Sequence, residues 1–228
     1  PAYTYPATAV FPLVLGACTV VVLVVFDTYN MYISELERRI AEVKRRGWLR
    51  PRAVVGVDLF GLPADWPAIE AICAREEMFA LDDAAQAFGA TLNGKKLGRW
   101  GHAAALSFYP TKNMTSGEGG MVTTNDQEVW SRIWSLKDHG KSWEAVYERE
   151  HPPGFRWLHE SFGTNWRMIE MQAVLGRLQL ARMQEWTAAR KQAADRYAAI
   201  AAVIAHTISA CRKRCGAQCQ SRNPHSVA

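Results

Sequence analysis

Short apolar runs that alternate with amphipathic segments constrain this chain more than anything else in it. Ala53 to Asp58 is almost wholly apolar and too short for a helix, so it reads as a strand buried on both faces. Asp65 then opens a helix, with Pro67 tolerated in its first turn, that runs to about Glu76. Met78 to Leu81 is the next strand and ends in Asp82-Asp83. Ala103 to Phe108 and Met121 to Thr124 read as two more. Ser34 to Arg46 reads as a helix, with Ser34 and Glu37 as a capping box and Ile33, Leu36, Ile40 and Val43 as its apolar face. Asn125 or Asp126 caps a further helix through about Lys137, which His139-Gly140 stops. This order predicts an α/β fold with a mostly parallel sheet and helices on both faces. In such sheets ligands sit at the carboxyl ends of the strands.

Two other stretches bear on architecture. Val10 to Phe26 carries no charge until Asp27, but it is short for a membrane span and contains Pro12 and Gly16. It also lacks a basic leader, so two buried strands around a Gly16 turn are expected, with no membrane partner. From Met168 to about Ile204 the pattern is one long helix. His206 to Ala228 turns Cys-, Arg- and Ser-rich without periodicity and reads as an irregular tail.

Of the 228 residues 49% are hydrophobic, an ordinary globular balance, and the formal charge of +5 suits an anionic ligand without indicating nucleic acid. Five cysteines, an odd count, do not make a disulfide framework, and a reducing cytoplasm is expected. Cys211, Cys215 and Cys219 lack the spacing of a common zinc motif, so no metal site is expected with His206 or His225.

Three polar clusters stand at the ends of the predicted elements: Leu81 to Gln86, Ser107 to Asn113 followed by Gly117-Glu118-Gly119-Gly120, and Gly163 to Met168 opening the long helix. Singly, each has a plain structural reading. Asp83 is a turn residue, Lys112 a solvated lysine, Ser107 a strand serine, Asn165 a helix cap and Gly117 to Gly120 a tight turn. Together they point to specific chemistry. A lysine that condenses with an aldehyde needs a partly desolvated pocket that frees its amine. A pyridoxal ring needs an acid on its ring nitrogen, and its phosphate needs hydroxyl and N–H donors. Asp, Ser and Lys at successive strand ends can supply all three.

The runs Asp82-Asp83-Ala84-Ala85-Gln86, Phe88-Gly89-Ala90, Ser107-Phe108-Tyr109-Pro110-Thr111-Lys112-Asn113 and Gly117-Glu118-Gly119-Gly120 resemble the nucleotide-sugar aminotransferases of the DegT/DnrJ/StrS family. The resemblance extends from Asp27 to Met31 and Asp58 to Asp65 upstream to His139-Gly140 and Gly163 to Met168 downstream, covering about residues 3 to 200. It implies the large domain of a fold type I aminotransferase dependent on pyridoxal 5'-phosphate, working as a homodimer with shared sites. Lys112 matches the Schiff-base lysine, which also moves the reacting proton. Asp83 matches the aspartate on the pyridine nitrogen, Gln86 the glutamine against the ring, and Ser107 a phosphate ligand. Asn165 matches an asparagine that reaches the phosphate from the neighbouring subunit, and Arg167 takes no firm role. The implied reaction is transfer of an amino group from glutamate to a keto-sugar nucleotide in amino-sugar or surface-polysaccharide biosynthesis.

Against the family pattern the chain departs in four ways. No Gly-Thr/Ser-Ala phosphate turn precedes Pro1, no smaller domain follows about Ile204, Thr164 and Trp166 stand where tyrosines are more usual, and Val20 to Phe26 is more uniformly valine-like than usual. The expected organisation is therefore a large domain over residues 1–204, lacking its amino-terminal part and running into the long helix, with an irregular or aberrant tail over 205–228. Two alternatives follow: an inactive or regulatory relative of the same fold, and a sugar dehydratase, in which a histidine replaces the Schiff-base lysine.

Overall fold

Parallel strands require long crossovers, and here a helix fills the first of them while a short two-stranded pair sits in the second. A computed structural model describes residues 1–151 and 159–220, with side chains as far as residue 205. In chain order the elements are α1 (Pro6–Val14), α2 (Ile33–Arg46), β1 (Ala53–Val57), a 3-10 turn (Leu59–Gly61), α3 (Trp66–Arg75) and β2 (Phe79–Asp83). The short pair β3 (Thr91–Leu92) and β4 (Lys95–Lys96) follows, then β5 (Ala103–Ser107), β6 (Gly120–Thr123), α4 (Gln127–Lys137), α5 (Trp143–Tyr147) and α6 (Glu170–Gln220). The chain divides into two compact units, Pro1–Ala181 and Arg182–Ala228, and the sheet belongs to the first.

The sheet has the order β1-β2-β5-β6, with β1, β2 and β5 parallel and β6 antiparallel to β5. It is the mostly parallel α/β sheet expected. The crossover from β1 to β2 is α3, whose N-cap Asp65 accepts a hydrogen bond from the Ala68 amide. Asp126 caps α4 in the same way, accepting from the Glu128 and Val129 amides.

Strand side chains alternate between faces, and the register aligns that alternation across the sheet. Gly56 pairs with Asp82 and Asp82 with Ala104, so these three share one face with Val54, Ala80 and Leu106. All six are buried there. This is the face that α3 covers, with Trp66 and Ile69 fully buried. Gly56 is what lets the indole approach: a Cβ at that position would lie 2.7 Å from Trp66 Cη2. Val55, Leu81, Asp83, Ala105 and Ser107 occupy the opposite face, which lines a cavity. β1 is therefore not buried equally on both sides; Val55 is only half-buried.

Three expectations are corrected. Val10 to Phe26 does not form two buried strands. Its first residues lie in α1, and the only strand-like pairing described in the remainder is an isolated bridge from Val24 to Met31. Apolar composition cannot separate a buried strand from a helix. Pro6, fixed at a helical φ in the first turn, decides for helix, and Gly16 at φ 80° turns the chain after it. Val10, Phe11, Leu13, Val14 and Leu15 are accordingly exposed. The Ser34–Glu37 capping box does not form, because α2 starts at Ile33, its N-cap is Tyr32 and Ser34 lies inside the first turn. Finally, α6 does not give way to an irregular tail at residue 205 but runs to Gln220; no proline interrupts it before Pro224. Residues 221–228 lie outside those described, as do the side chains of His206, Cys211, Cys215 and Cys219. Among the described residues no cluster suits a metal ion, and no helix is long and apolar enough to cross a membrane.

Gly56→Ala should destabilise the fold by about 1–3 kcal/mol, since the added methyl meets a rigid, fully packed indole. Urea denaturation of the variant against the parent chain measures this.

Candidate active site

Asp83 ends β2 and Ser107 ends β5, so the parallel register brings both to the same edge of the open face. Together with Gln86 and Lys112 they line one cavity of 1410 Å³. Its other wall is built from α1, residues 17–22 and α2.

Each polar group is held by a local device. Thr8, in the first turn of α1, donates its hydroxyl to Asp83 Oδ2 at 2.6 Å, and the Ala85 amide donates to Asp83 Oδ1 at 3.2 Å. Gln86 Oε1 accepts from the Phe60 amide at 2.6 Å, across the left-handed Phe60 of the 3-10 turn. Ser107 Oγ accepts from the Tyr109 amide at 3.4 Å. A turn closed by the Lys112 amide on the Tyr109 carbonyl (3.0 Å) sets the lysine over the cavity mouth. Lys112 is half-buried and makes no ion pair among the described residues. The glycine run that follows returns the chain to β5. The Ser116 amide donates to the Phe108 carbonyl and the Phe108 amide to the Gly119 carbonyl, with Gly117 and Gly119 at positive φ.

Asn165 is not brought to this cavity. It is exposed, on a turn that bridges Asp138, and its Oδ1 accepts from Arg167 Nε and a terminal guanidinium nitrogen at 3.3 Å each. Asp138 organises that turn. Its carboxylate contacts His139 Nδ1 and Lys141 Nζ at 3.0 Å and Arg167 Nε at 3.4 Å. Burial pushes its pKa up. The hydrogen bonds from His139 and Lys141 and the charges of Lys141 and Arg167 outweigh that and hold it below the usual carboxylate range.

Thr8 was not legible as part of the site. Nothing in the Pro6–Val14 segment marks a hydroxyl as the partner of an aspartate about 75 residues on; the bond joins the first turn of α1 to the end of β2. Tyr5 also lines the cavity, and so does Glu118.

An amine, a hydroxyl-bound carboxylate, a serine hydroxyl and a glutamine meet at the strand ends of one α/β face. The chain belongs to the DegT/DnrJ/EryC1/StrS aminotransferase family, whose sequence profile matches residues 1–215. Members of this family depend on pyridoxal phosphate. The chain is 36% identical over 199 residues to a UDP-N-acetyl-3-dehydro-α-D-glucosamine 3-aminotransferase of Acidithiobacillus ferrooxidans, covering 87% of this chain and 49% of that protein. It is similar to the crystal structure of an aminotransferase from Psychrobacter cryohalolentis, with 45% identity and a TM-score of 0.76, over 84% of this chain and 47% of that one. A DegT DnrJ EryC1 StrS aminotransferase from Brucella abortus matches with 36% identity and a TM-score of 0.78, over 86% of this chain and 50% of that one. The chain thus spans about half the length of the relatives it matches.

Two outcomes are expected. Thr8→Val should lower stability by about 1 kcal/mol in urea denaturation, from loss of the bond to Asp83. Asp138 has a depressed pKa, so its contribution is present above the unfolded value and lost as pH falls through the folded one. The stability gap between the parent and Asp138→Asn should hold above about pH 5 and shrink below about pH 4. Denaturation across that range reads it.

Proposed function

We propose that this chain forms the cofactor-binding part of a sugar-nucleotide aminotransferase that takes its amino group from glutamate. The convergence of Lys112, Asp83 and Ser107 on one cavity carries the reading. The donor set fits pyridoxal 5'-phosphate: a primary amine for the aldehyde, a carboxylate for the ring nitrogen and a hydroxyl for the phosphate. When bound, that cofactor supplies an electron sink for the carbanion formed at the donor's α-carbon.

This chain's residues divide the remaining work. Lys112 holds the cofactor through its amine. The same amine, when free, would take the donor's α-proton and give it back, as general base and then acid. Asp83, fixed by Thr8 and the Ala85 amide, keeps the ring nitrogen protonated. Gln86, anchored on the Phe60 amide, would lie against the ring, and Ser107 would donate its hydroxyl to the phosphate. Asn165 reaches the phosphate of a second copy in a homodimer; its exposed position away from its own cavity supports that assignment. Lysine rather than histidine at position 112 favours amino transfer over dehydration.

The named activities of the relatives support a keto-sugar nucleotide as acceptor and a role in amino-sugar or polysaccharide biosynthesis. They include GDP-perosamine synthase of Caulobacter vibrioides and the spore coat polysaccharide biosynthesis protein SpsC of Bacillus subtilis. The free thiols of Cys18 and Cys73 suit a reducing cytoplasm.

Adding pyridoxal phosphate should give a visible absorption band that glutamate bleaches. Borohydride reduction should leave the cofactor's mass on Lys112. Lys112→Ala should lose both signals, and a parent-like band in that variant would overturn the assignment.

A further inference from the structure

The packed face of the sheet holds an acidic pair that the proposed reaction does not use. Asp82 and Asp83 are neighbours in sequence, and strand alternation sends them to opposite faces. Asp82 turns toward α3 and is 1% exposed, and Asp58, the residue after β1, is 0% exposed. Each carboxyl has one oxygen satisfied by fixed donors. Asp58 Oδ1 accepts from the Ala64 amide at 2.9 Å and Trp66 Nε1 at 2.8 Å, and Asp82 Oδ2 accepts from the Gly98 amide at 2.9 Å. The other two oxygens, Asp58 Oδ2 and Asp82 Oδ1, are buried with no donor. Asp82 pairs with Gly56, and Asp58 follows Gly56 by two residues, so the two acids are neighbours on the packed face and each feels the other's charge.

Two adjacent carboxylates sealed from water repel each other, and each orphaned oxygen adds its own desolvation penalty. One proton removes both problems: a hydroxyl on Asp82 donates to Asp58, and one negative charge remains. The charged groups on the surrounding elements offer no other remedy. Asp83 on β2 is acidic itself. Glu70 on α3 accepts from the Gly101 amide and faces Lys95, which lies over the Trp100 ring.

The pair also touches the site through the backbone, since the Asp58 amide donates to the Asp83 carbonyl at 3.1 Å. We propose that Asp58 and Asp82 share a single proton and act as a positioning pair for Asp83, locking the ends of β1 and β2 from the packed face. The cofactor-binding reading is needed only for what Asp83 does, not for the shared proton.

Burial, the Asp58 charge and the hydrogen bond to Asp58 push Asp82 up to about 8, and burial raises Asp58 as well. An unfolded aspartate loses its proton near ~4. The proton's contribution is therefore complete below about pH 4 and gone above about pH 8. Between those limits each unit of rising pH shifts the folding equilibrium ~10-fold toward the unfolded chain.

The test is a carbon-13 titration of aspartate carboxyls in the chain without cofactor, with denaturation from pH 5 to 9 and the pyridoxal phosphate band measured alongside. The parent should show one aspartate titrating near pH 8, with the Asp83 resonance moving in step. Asp82→Asn, whose amide donates permanently to Asp58, should lose that titration and the ~10-fold-per-unit pH slope while keeping the band. Asp82→Ala, which strands the Asp58 charge, should be less stable than Asp82→Asn and bind pyridoxal phosphate more weakly. Titration of every aspartate below about pH 5 would overturn the shared proton. An Asp83 resonance indifferent to the titration would overturn the positioning role. Absence of any band in the parent would count against the cofactor reading alone, because the carboxyl titration still decides the pair.

Discussion

A strand sends successive side chains to opposite faces, and in this chain that rule separates a packed surface from a reactive one. Through the shared register of β1, β2 and β5, one set of positions meets α3 and the other opens on the cavity. The doublet Asp82-Asp83 is the sharpest instance. One carboxyl is sealed beneath the sheet, and its neighbour stands above it with a threonine hydroxyl on one oxygen. A slip of one residue in β2 would exchange them, burying the reactive acid and exposing the structural one. The packing of Ala80 against α3 and the chemistry of Asp83 therefore depend on the same hydrogen-bond ladder.

The site is assembled with few ion pairs. Asp83 is steadied by a hydroxyl and an amide, Gln86 by an amide and Ser107 by an amide, and Lys112 is placed by its backbone turn. Neutral donors fix geometry without cancelling charge, which leaves the carboxylate and the amine able to act on a ligand. Around Asn165 the opposite holds. There Asp138 draws in His139, Lys141 and Arg167, and electrostatics shape a turn that carries a neutral amide.

Much of this was legible because local chemistry and tertiary structure agree. Asp65 and Asp126 cap the helices they appear to cap, and the short runs ending in Asp83 and Ser107 are strands. The clusters at those strand ends were readable because an α/β sheet gathers them at one edge. The failures share a different cause. Between Val10 and Phe26 composition is almost wholly apolar, so periodicity does not separate strand from helix there, and the helix forms even with Pro12 inside it. Ser34 and Glu37 have the spacing of a capping box, but the N-cap falls two residues earlier, at Tyr32. Thr8 and the Asp58–Asp82 contact are long-range meetings of residues from separate elements, and no local pattern encodes them.

Trp66 joins the two halves of the packed face. Its ring edge fills the space left by Gly56, and its indole nitrogen binds Asp58. A glycine, a tryptophan and an aspartate drawn from a strand, a helix and a loop thus form one interlocked unit. No single replacement among them preserves both the shape and the donor, so the strand, the helix and the loop hold one another in place.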